Sequence, residues 1–475
     1  MIRKRVGVGL LTLAAISLCN STSATTRELI ELRRTPLTPR SSVIQELSGG
    51  VLFDPYDELL FRPFNLMNVN IERYGNLSPW PGQAGEQSRY VDVLIGNNGN
   101  TNVRNGADTL QGTYIAQPGD SFVWGLTAAY VGDQVVNADL TSGSNFADGE
   151  ELFGTDARFA ASYRVSNRIL LGGGVSVFSG NDKIDDASFL LGVGGSYSRQ
   201  ELQQSGFEAD FGMRLFSGER SSWSGSLLLG SGSTDLDDFA ETLDATGAVT
   251  SRFVINQFEV SDQYVELSAG HNRRFLESDG EMAFTFGVRQ SQNELDNSDL
   301  SFTDTVGVIT PTLTLLDQDA VSGTKIYASA TTLFTRNWTQ IFGRATLSHE
   351  SVDGSTQVDS LGLIVNEAID DTNTKLTLVM GLRQPLWNEK FRLVASARAD
   401  WIDQQTETAF DASTSVTELR RTTTNYAIGV ETVLNNVVFD MAWLFGSDAT
   451  SAATTLANRQ TIDLDRLVIS ASFGW

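Results

Sequence analysis

The sequence predicts an all-β protein, a transmembrane antiparallel β-barrel of about 16 strands, with a range of about 14–18. Three observations support this fold class. Long segments alternate strictly between apolar and polar residues, the connections between these segments alternate between short and long, and the chain ends on an alternating segment. Strict alternation is the pattern of a β-strand with one apolar face. No long amphipathic helical pattern follows residue 50.

The alternation is clear in the segment 207–216, where Phe207, Phe211 and Leu215 share one face and Glu208 and Arg214 the other. Strands are predicted near residues 107–117, 121–133, 153–165, 168–179, 187–199, 204–217, 221–234, 257–274, 280–294, 322–336, 338–351, 373–386, 390–405, 422–434, 436–448 and 461–475. A strand in a soluble protein typically has about 5–6 residues, whereas a tilted strand needs about 9–11 to cross a bilayer. Strand length therefore favours a membrane barrel over a soluble sandwich.

The connections fall into two kinds. Tight turns, such as Pro118-Gly119-Asp120 and Asn435-Asn436, alternate with long polar segments. The long segments are predicted as loops at 134–152, 235–256, 295–321, 352–372, 403–421 and 449–460. Counting turns from the two ends of the chain leaves one strand too many or too few, between Lys183 and Phe258. Either 248–258 is a further strand, or the segment 89–95 belongs to the barrel.

The N-terminus is predicted to be a signal peptide covering residues 1–24. A positive region at residues 3–5 precedes the apolar stretch 6–18, which is shorter than the about 20 residues that span a bilayer. Small residues then allow cleavage after Ala24. Cys19 raises a lipoprotein alternative, but the residue before it is Leu18 and not a small one. Cleavage after Ala24 would leave the mature chain without cysteine.

Residues 25–106 do not show the barrel pattern, and we predict a plug inside the lumen or a periplasmic extension. The stretch 51–80 is rich in aromatic residues but is interrupted by Pro55, Pro63 and Pro79, which disfavours a regular strand. An irregular segment this apolar needs a surface to cover it. A disordered linker is the alternative. The barrel itself is predicted over residues 107–475.

The charge balance and the scarcity of histidine exclude several functions. The chain has 34 Lys and Arg against 58 Asp and Glu, a net charge of -24, which argues against nucleic acid as a partner. Its two histidines, His271 and His349, fall on apolar strand faces, where a general base has no access to a solvated site. We therefore predict no enzymatic activity. No phosphate-binding, dinucleotide or metal-ligand motif is present, so no cofactor or metal is predicted.

Polar positions on barrel strands face the lumen, which gives a set of predicted lining residues. They are Asp156, Arg158, Arg164, Glu208, Asp210, Arg214, Glu281, Arg289, Arg344, Lys375, Arg383, Arg392, Arg398, Asp400 and Arg466, with Glu266, Glu431 and Asp440 as further acidic candidates. These charges nearly balance, whereas the surplus of acidic residues lies in the long connections. The lining charges are either paired filler or a constriction that guides solutes.

The chain ends on a strand whose apolar face carries Leu467, Ile469, Ala471, Phe473 and Trp475. This ending resembles the closing strand of porin-like Gram-negative outer-membrane β-barrel proteins, in which a terminal aromatic residue is the assembly signal. The resemblance implies a location in the outer membrane with both termini in the periplasm. It also implies outer-membrane lipid and the barrel-assembly machinery as partners, and a small solute as ligand.

The resemblance leaves three functional hypotheses. The first is a channel for small solutes whose lumen is restricted by the N-terminal segment. The second is a closed barrel that acts as a surface or assembly scaffold. The third is a carrier of hydrophobic solutes, similar to the fatty-acid transporter family, with apolar lumen pockets near Phe61 and Phe64. The Asn-Pro-Ala motif of that family is missing from the predicted mature N-terminus.

Replacing Trp475 by Asp is expected to impair assembly in the outer membrane, because the assembly signal loses its terminal aromatic ring. The amount of folded, heat-modifiable protein in outer-membrane fractions measures this effect. Ser472→Ala, on the other face of the same strand, is the matched control and should assemble normally. Normal insertion of the Trp475→Asp variant would contradict the signal role.

Overall fold

The computed structural model describes residues 48, 51–52, 63–64, 73–80, 108–119, 121–137, 148–190, 194–218, 220–246, 249–275, 280–304, 309–318, 321–336, 339–360, 363–386, 390–410, 413–434, 437–452 and 460–474. The predicted signal peptide and most of the stretch 25–106 lie outside these residues. Their predicted roles stay predictions.

The described part of the chain is one antiparallel sheet of seventeen strands. The strands are β1 (Arg73–Trp80), β2 (Asp108–Gly119), β3 (Phe122–Asn137), β4 (Asp148–Ser166), β5 (Ile169–Leu190), β6 (Gly194–Phe216), β7 (Ser221–Leu243), β8 (Val249–Phe275), β9 (Gly280–Asp304), β10 (Ile309–Gln318), β11 (Val321–Arg336), β12 (Thr339–Ser360), β13 (Leu363–Leu386), β14 (Phe391–Phe410), β15 (Ser413–Leu434), β16 (Val437–Ala452) and β17 (Gln460–Gly474). Among these residues, no helix has the length and apolar character needed to cross a membrane.

The strands pair in a ring. Strands β2 to β9 pair in sequence, β9 pairs with β11, and β11 to β17 pair in sequence. Strand β1 lies between β17 and β2, with Tyr74 opposite Gly474 on one side and Ile115 on the other. Strand β11 is shorter than its neighbours, and β10 pairs with the parts of β9 and β12 that extend beyond it. Because β10 only fills this space, the ring itself has sixteen strands. The predicted barrel of about 16 strands is confirmed.

The strand assignments explain the mismatch in the turn count. The separate strand predicted at 187–199 is wrong, because β5 and β6 form one long hairpin whose ends pair Leu190 with Gly194. Gly194 has a φ of 98°, a conformation that favours glycine at this turn. The missing strand is β1, which forms although it contains Pro79. A proline next to the end of a strand removes little of the hydrogen-bond ladder.

The described parts of the long polar segments between predicted strands are also mostly strand. For example, β7 and β8 stay paired from Ser221–Arg273 at one end to Leu243–Val249 at the other. Several strands have more than twenty residues, far more than the about 9–11 that cross a bilayer. The prediction of loops is therefore wrong for 235–256, 295–321, 352–372 and 403–421, where paired strands extend beyond the membrane-spanning part. The middle of the predicted loops 134–152 and 449–460 lies outside the described residues. The ends of the ring are called the short-turn end and the long-hairpin end below.

The two faces of the sheet differ in character. On the outer face large apolar side chains are exposed, among them Phe159, Phe207, Phe211, Trp223, Leu267, Phe284, Phe286, Ile341, Leu347 and Met380. The inward positions between them are buried or half-buried and largely polar. Soluble proteins rarely expose apolar surface on this scale, whereas a belt of this kind is what lipid contacts in a membrane barrel. The outer face is accordingly the lipid-facing surface of a transmembrane barrel.

Aromatic rings on the inward face lie across glycines of the neighbouring strand. The pairs are Phe178 over Gly206, Tyr264 over Gly230, Tyr327 over Gly287 and Phe342 over Gly381, and each ring lies across its direct cross-strand partner. A Cβ atom on any of these glycines would collide with the ring. The glycines are needed because they let each ring lie flat along the wall.

Gly230→Ala is expected to lower the free energy of unfolding by about 1–3 kcal/mol, because the new methyl group overlaps the Tyr264 ring. Denaturant titration of the refolded barrel in lipid vesicles measures this. The matched control is Gly225→Ala on the same strand, where the nearest atom to an added Cβ is the Ser268 carbonyl oxygen at 3.7 Å. Equal stability of the two variants would contradict the packing role.

Candidate functional site

The interior surface of the ring is the candidate functional site, since it carries the polar face of the strands. The described strands place the predicted lining residues Asp156, Arg158, Arg164, Glu208, Asp210, Arg214, Glu281, Arg289, Arg344, Lys375, Arg383, Arg392, Arg398 and Asp400 on this inward face, out of phase with the exposed apolar residues. Arg466 and the apolar residues Leu467, Ile469, Ala471 and Phe473 lie in β17. Trp475 lies outside the described residues.

The wall formed by β4 to β6 is held by a buried ion pair. The Arg158 guanidinium, with only 4% of its side chain exposed, donates to the Asp210 carboxylate and also to Ser176 Oγ at 3.1 Å. Arg158, Ser176 and Asp210 lie on three successive strands. The ion pair between β4 and β6 therefore spans β5, where the small side chain of Ser176 leaves room for it. Such a pair fixes the strands laterally and neutralises both charges inside the barrel.

A second network joins β6, β8, β9 and β11. The Tyr264 hydroxyl donates to the Glu208 carboxylate, and the Tyr327 hydroxyl donates to Glu266 at 2.8 Å. Arg289 contacts the same Glu266 carboxylate at 2.6 Å, and its guanidinium lies 4.9 Å from the centre of the Tyr264 ring. Two carboxylates are thus shared among two tyrosines and one arginine. Tyr264 and Tyr327 are not among the predicted lining residues. The alternation of the sequence gives the face of a tyrosine but not the carboxylate that its hydroxyl reaches.

A third cluster lies near the short-turn end, on β13 to β15. Glu431, with 5% of its side chain exposed, accepts from Arg383 at 2.6 Å and also contacts Arg392. On the same wall Arg398 donates to Asp400 at 2.9 Å, and Thr377 donates to this carboxylate at 2.5 Å. The interior charges described here are paired, so they form a neutralised lining and not a field of one sign.

Two N-terminal residues pack on the inward face of this wall. Val51 and Leu52 are buried in an apolar cluster with Phe342, Val379, Val394 and Ala427 of β12 to β15. Ser48 fixes the local chain, since its Oγ accepts from the Val51 amide at 3.2 Å and the Leu52 amide at 2.8 Å. This side-chain turn presents the two apolar residues to the wall.

Phe64 occupies a seat on the other side of the ring. Gly172 of β5 and Gly212 of β6 are cross-strand partners, and both lie against Phe64. The Ser162 hydroxyl of β4 donates to the Phe64 carbonyl oxygen at 3.3 Å. A Cβ atom at Gly172 would collide with the Phe64 backbone, and one at Gly212 would collide with its ring. The pair of glycines therefore forms a niche that fits this residue.

The two N-terminal contacts lie on opposite sides of the ring, because β4 to β6 and β12 to β15 are separated by several strands in both directions. Both lie closer to the short-turn end than to the tips of the hairpins. Strand β1 also begins at this end, since Arg73 is opposite Ala116 near the end of β2. The chain that precedes β1 therefore contacts the interior where it enters the ring.

Asp371 and the two histidines lie outside the three charged clusters of the inward wall. Asp371, five residues beyond Leu376 towards the long-hairpin end, accepts from Thr406 at 3.0 Å and from Gln404 at 3.2 Å. Burial raises the pKa of the Asp371 carboxyl above its ordinary value. His271 and His349 lie on the outward face, where His271 Nε2 is 2.9 Å from Ser221 Oγ.

Comparison with models of protein families and with curated protein sequences gives no match. Solved structures with a similar arrangement include the Pseudomonas putida toluene transporter TodX, at 12% identity and a TM-score of 0.41 over 92% of this chain and 99% of that chain. The Ralstonia pickettii toluene transporter TbuX is also 12% identical, with a TM-score of 0.41 over 93% and 99% of the two chains. A Pseudomonas aeruginosa FadL homologue gives 12% identity and a TM-score of 0.38, over 92% and 99%. With TM-scores below 0.5, these likenesses define neither the family nor the solute of this chain.

Glu431→Gln is expected to lower the free energy of unfolding by about 3 kcal/mol, because two arginines would remain near a neutral partner. Urea titration in lipid vesicles measures this. The matched control is Asp403→Asn, whose pair with Arg420 is exposed at 3.5 Å and should contribute less than about 1 kcal/mol. Similar losses of stability in the two variants would contradict a larger contribution of the buried cluster.

Proposed function

We propose that this protein is an outer-membrane channel for small solutes, with a lumen narrowed by its N-terminal segment. One observation carries the proposal: N-terminal residues Val51, Leu52 and Phe64 pack on the inward wall of a ring of strands whose outer face is apolar. A barrel with a polar interior and a lipid-facing exterior can conduct solutes wherever its lumen stays open. The predicted lining residues are proposed to line that path.

The placement of the N-terminal contacts supports a restriction at one end only. Both contacts lie towards the short-turn end, and we propose that this end faces the periplasm, as short turns do in outer-membrane barrels. The long hairpins then extend outside the cell. In this arrangement the segment before β1 narrows the periplasmic half and leaves the outer half wider.

The paired interior charges bear on how strongly the channel selects solutes by charge. Because the interior arginines are matched by carboxylates, the lining offers little net charge to select ions. The acidic residues of the long hairpins would instead favour cations at the outer mouth, an effect that fades beyond about 8–10 Å at physiological salt. We therefore propose weak selectivity that decreases further as salt is raised.

A carrier of hydrophobic solutes is the second candidate, and a specific observation favours it. The interior patch of Phe342, Val379, Val394 and Ala427 is apolar and lies beside Leu52. An apolar solute that displaced Leu52 would find a ready apolar surface there. The scaffold hypothesis predicts instead that the lumen stays closed when this contact is broken. We also propose that the protein is not an enzyme, since neither His271 nor His349 lies on the inward face that lines the lumen.

Single-channel recording in planar bilayers tests the proposal. Phe64→Ala is expected to raise the unit conductance or the open time, because the niche at Gly172 and Gly212 loses its occupant. Deleting residues 27–70, which ends before β1, should raise conductance further while keeping the ring intact. Phe211→Ala, which removes an outward ring next to Gly212, is the matched control and should conduct like the parent. Folded protein without unit conductance, in the parent and in the deletion variant, would contradict a channel.

A further inference from the structure

The lipid-facing surface carries a groove of about 540 Å³ that extends from β7 to β13. Its floor is formed by Ala328 and Ala330 of β11 and by Ala345 of β12, the direct cross-strand partner of Ala330. Phe284 and Phe286 of β9 are directly opposite the two alanines of β11 and lie between this floor and the part of the groove on β7 and β8. Leucines of β12 and β13 form the wall on the other side of the floor. The floor is only two strands wide, so the groove fits a single extended apolar chain.

Polar groups lie near the part of the groove on β7 and β8, on the other side of the β9 phenylalanines. Trp223 and His271 line this part near the short-turn end, with their rings 4.4 Å apart. Ser221 Oγ lies 2.9 Å from His271 Nε2, and Ser221 is the cross-strand partner of Arg273. Arg273 follows on the same outward face, exposed, with its guanidinium 5.8 Å from the centre of the Phe275 ring. His271 thus lines the groove, and the Ser221 hydroxyl and the Arg273 guanidinium follow it towards the short-turn end.

This arrangement matches the two parts of a phospholipid. An acyl chain is extended and apolar and fills a narrow groove between aromatic and leucine walls, whereas the phosphate of the headgroup needs cationic and hydroxyl donors at the interface. Trp and Arg side chains also favour this depth in the membrane. A second copy of this chain is a poorer occupant, because a two-fold contact would bring an identical groove and an identical Arg273 against these ones.

We propose that this groove is a specific site for an anionic phospholipid, with one acyl chain over Ala328, Ala330 and Ala345 and the headgroup phosphate at Arg273, Ser221 and His271. The site requires that the barrel lies in a bilayer but does not depend on channel activity. The lipid at this position would be retained longer than the lipid around the rest of the belt.

Native mass spectrometry of the full-length protein, exchanged into detergent with added phosphatidylglycerol or phosphatidylcholine, tests the site. The parent is expected to retain one phosphatidylglycerol molecule at least fivefold better than phosphatidylcholine. Ala330→Leu, which fills the floor, should abolish this adduct. Arg273→Gln should remove the preference for phosphatidylglycerol and leave weak binding of both lipids.

Two matched variants control for general effects. Ala397→Leu adds the same bulk at an outward alanine of β14, away from the groove, and Arg168→Gln removes an exposed arginine at another short turn. Both should retain the lipid like the parent. Equal retention by Ala330→Leu and the parent, or an unchanged preference in Arg273→Gln, would overturn the proposal. A dimer that is lost only in Ala330→Leu would assign the groove to a second copy and would also overturn it.

Discussion

The structure depends on the pairing of β1 with both β17 and β2. Without β1, two strands would each carry a row of unsatisfied backbone amides and carbonyls, which a membrane interior does not tolerate. The pairing of Leu77 with Ala471 and with Gly112 places a short strand between them. It also fixes where the N-terminal segment goes, because the chain must enter the ring at the short-turn end. The contacts of Phe64 and Leu52 with the interior follow from this entry point.

A second constraint is that the two faces of the same strands meet different surroundings. The outward face needs apolar groups for lipid, and the inward face carries ionised groups that need partners once water is limited. Arg158 with Asp210, Arg289 with Glu266, and two arginines with Glu431 satisfy that need within the wall. The inward glycines leave room for aromatic side chains to reach such partners. Where Gly230 gives space, the Tyr264 ring crosses to the next strand and reaches an acid on the strand beyond.

The alternation in the sequence predicts which side chains share a face, because a strand turns its residues over with a period of two. It does not predict where a strand ends, since hairpins outside the membrane keep the extended backbone without an apolar face. This is why 187–199 seemed a separate strand and why β7 and β8 are longer than expected. Strand β1 was missed because the prolines of the stretch 51–80, Pro79 among them, disfavour a regular strand. Contacts such as Arg158 with Asp210 depend on register and neighbouring side-chain size, which one sequence does not provide.

Phe64 lies in the niche of β5 and β6 inside the barrel. A Cβ atom at Gly212 would lie 3.2 Å from Phe64 Cγ. A cysteine Sγ at position 64 takes about the place of Phe64 Cγ, so cysteines at the two positions are close enough to form a disulfide. The most direct measurement is the oxidation state of a Phe64→Cys, Gly212→Cys double variant purified in its folded form. Cys19 is the one cysteine of the natural chain and lies in the predicted signal peptide. We expect the Phe64→Cys, Gly212→Cys variant to form a disulfide spontaneously. A Phe64→Cys, Gly225→Cys variant, with its second cysteine on the outer face, should form none. Two free, reactive thiols in the folded Phe64→Cys, Gly212→Cys protein would contradict it.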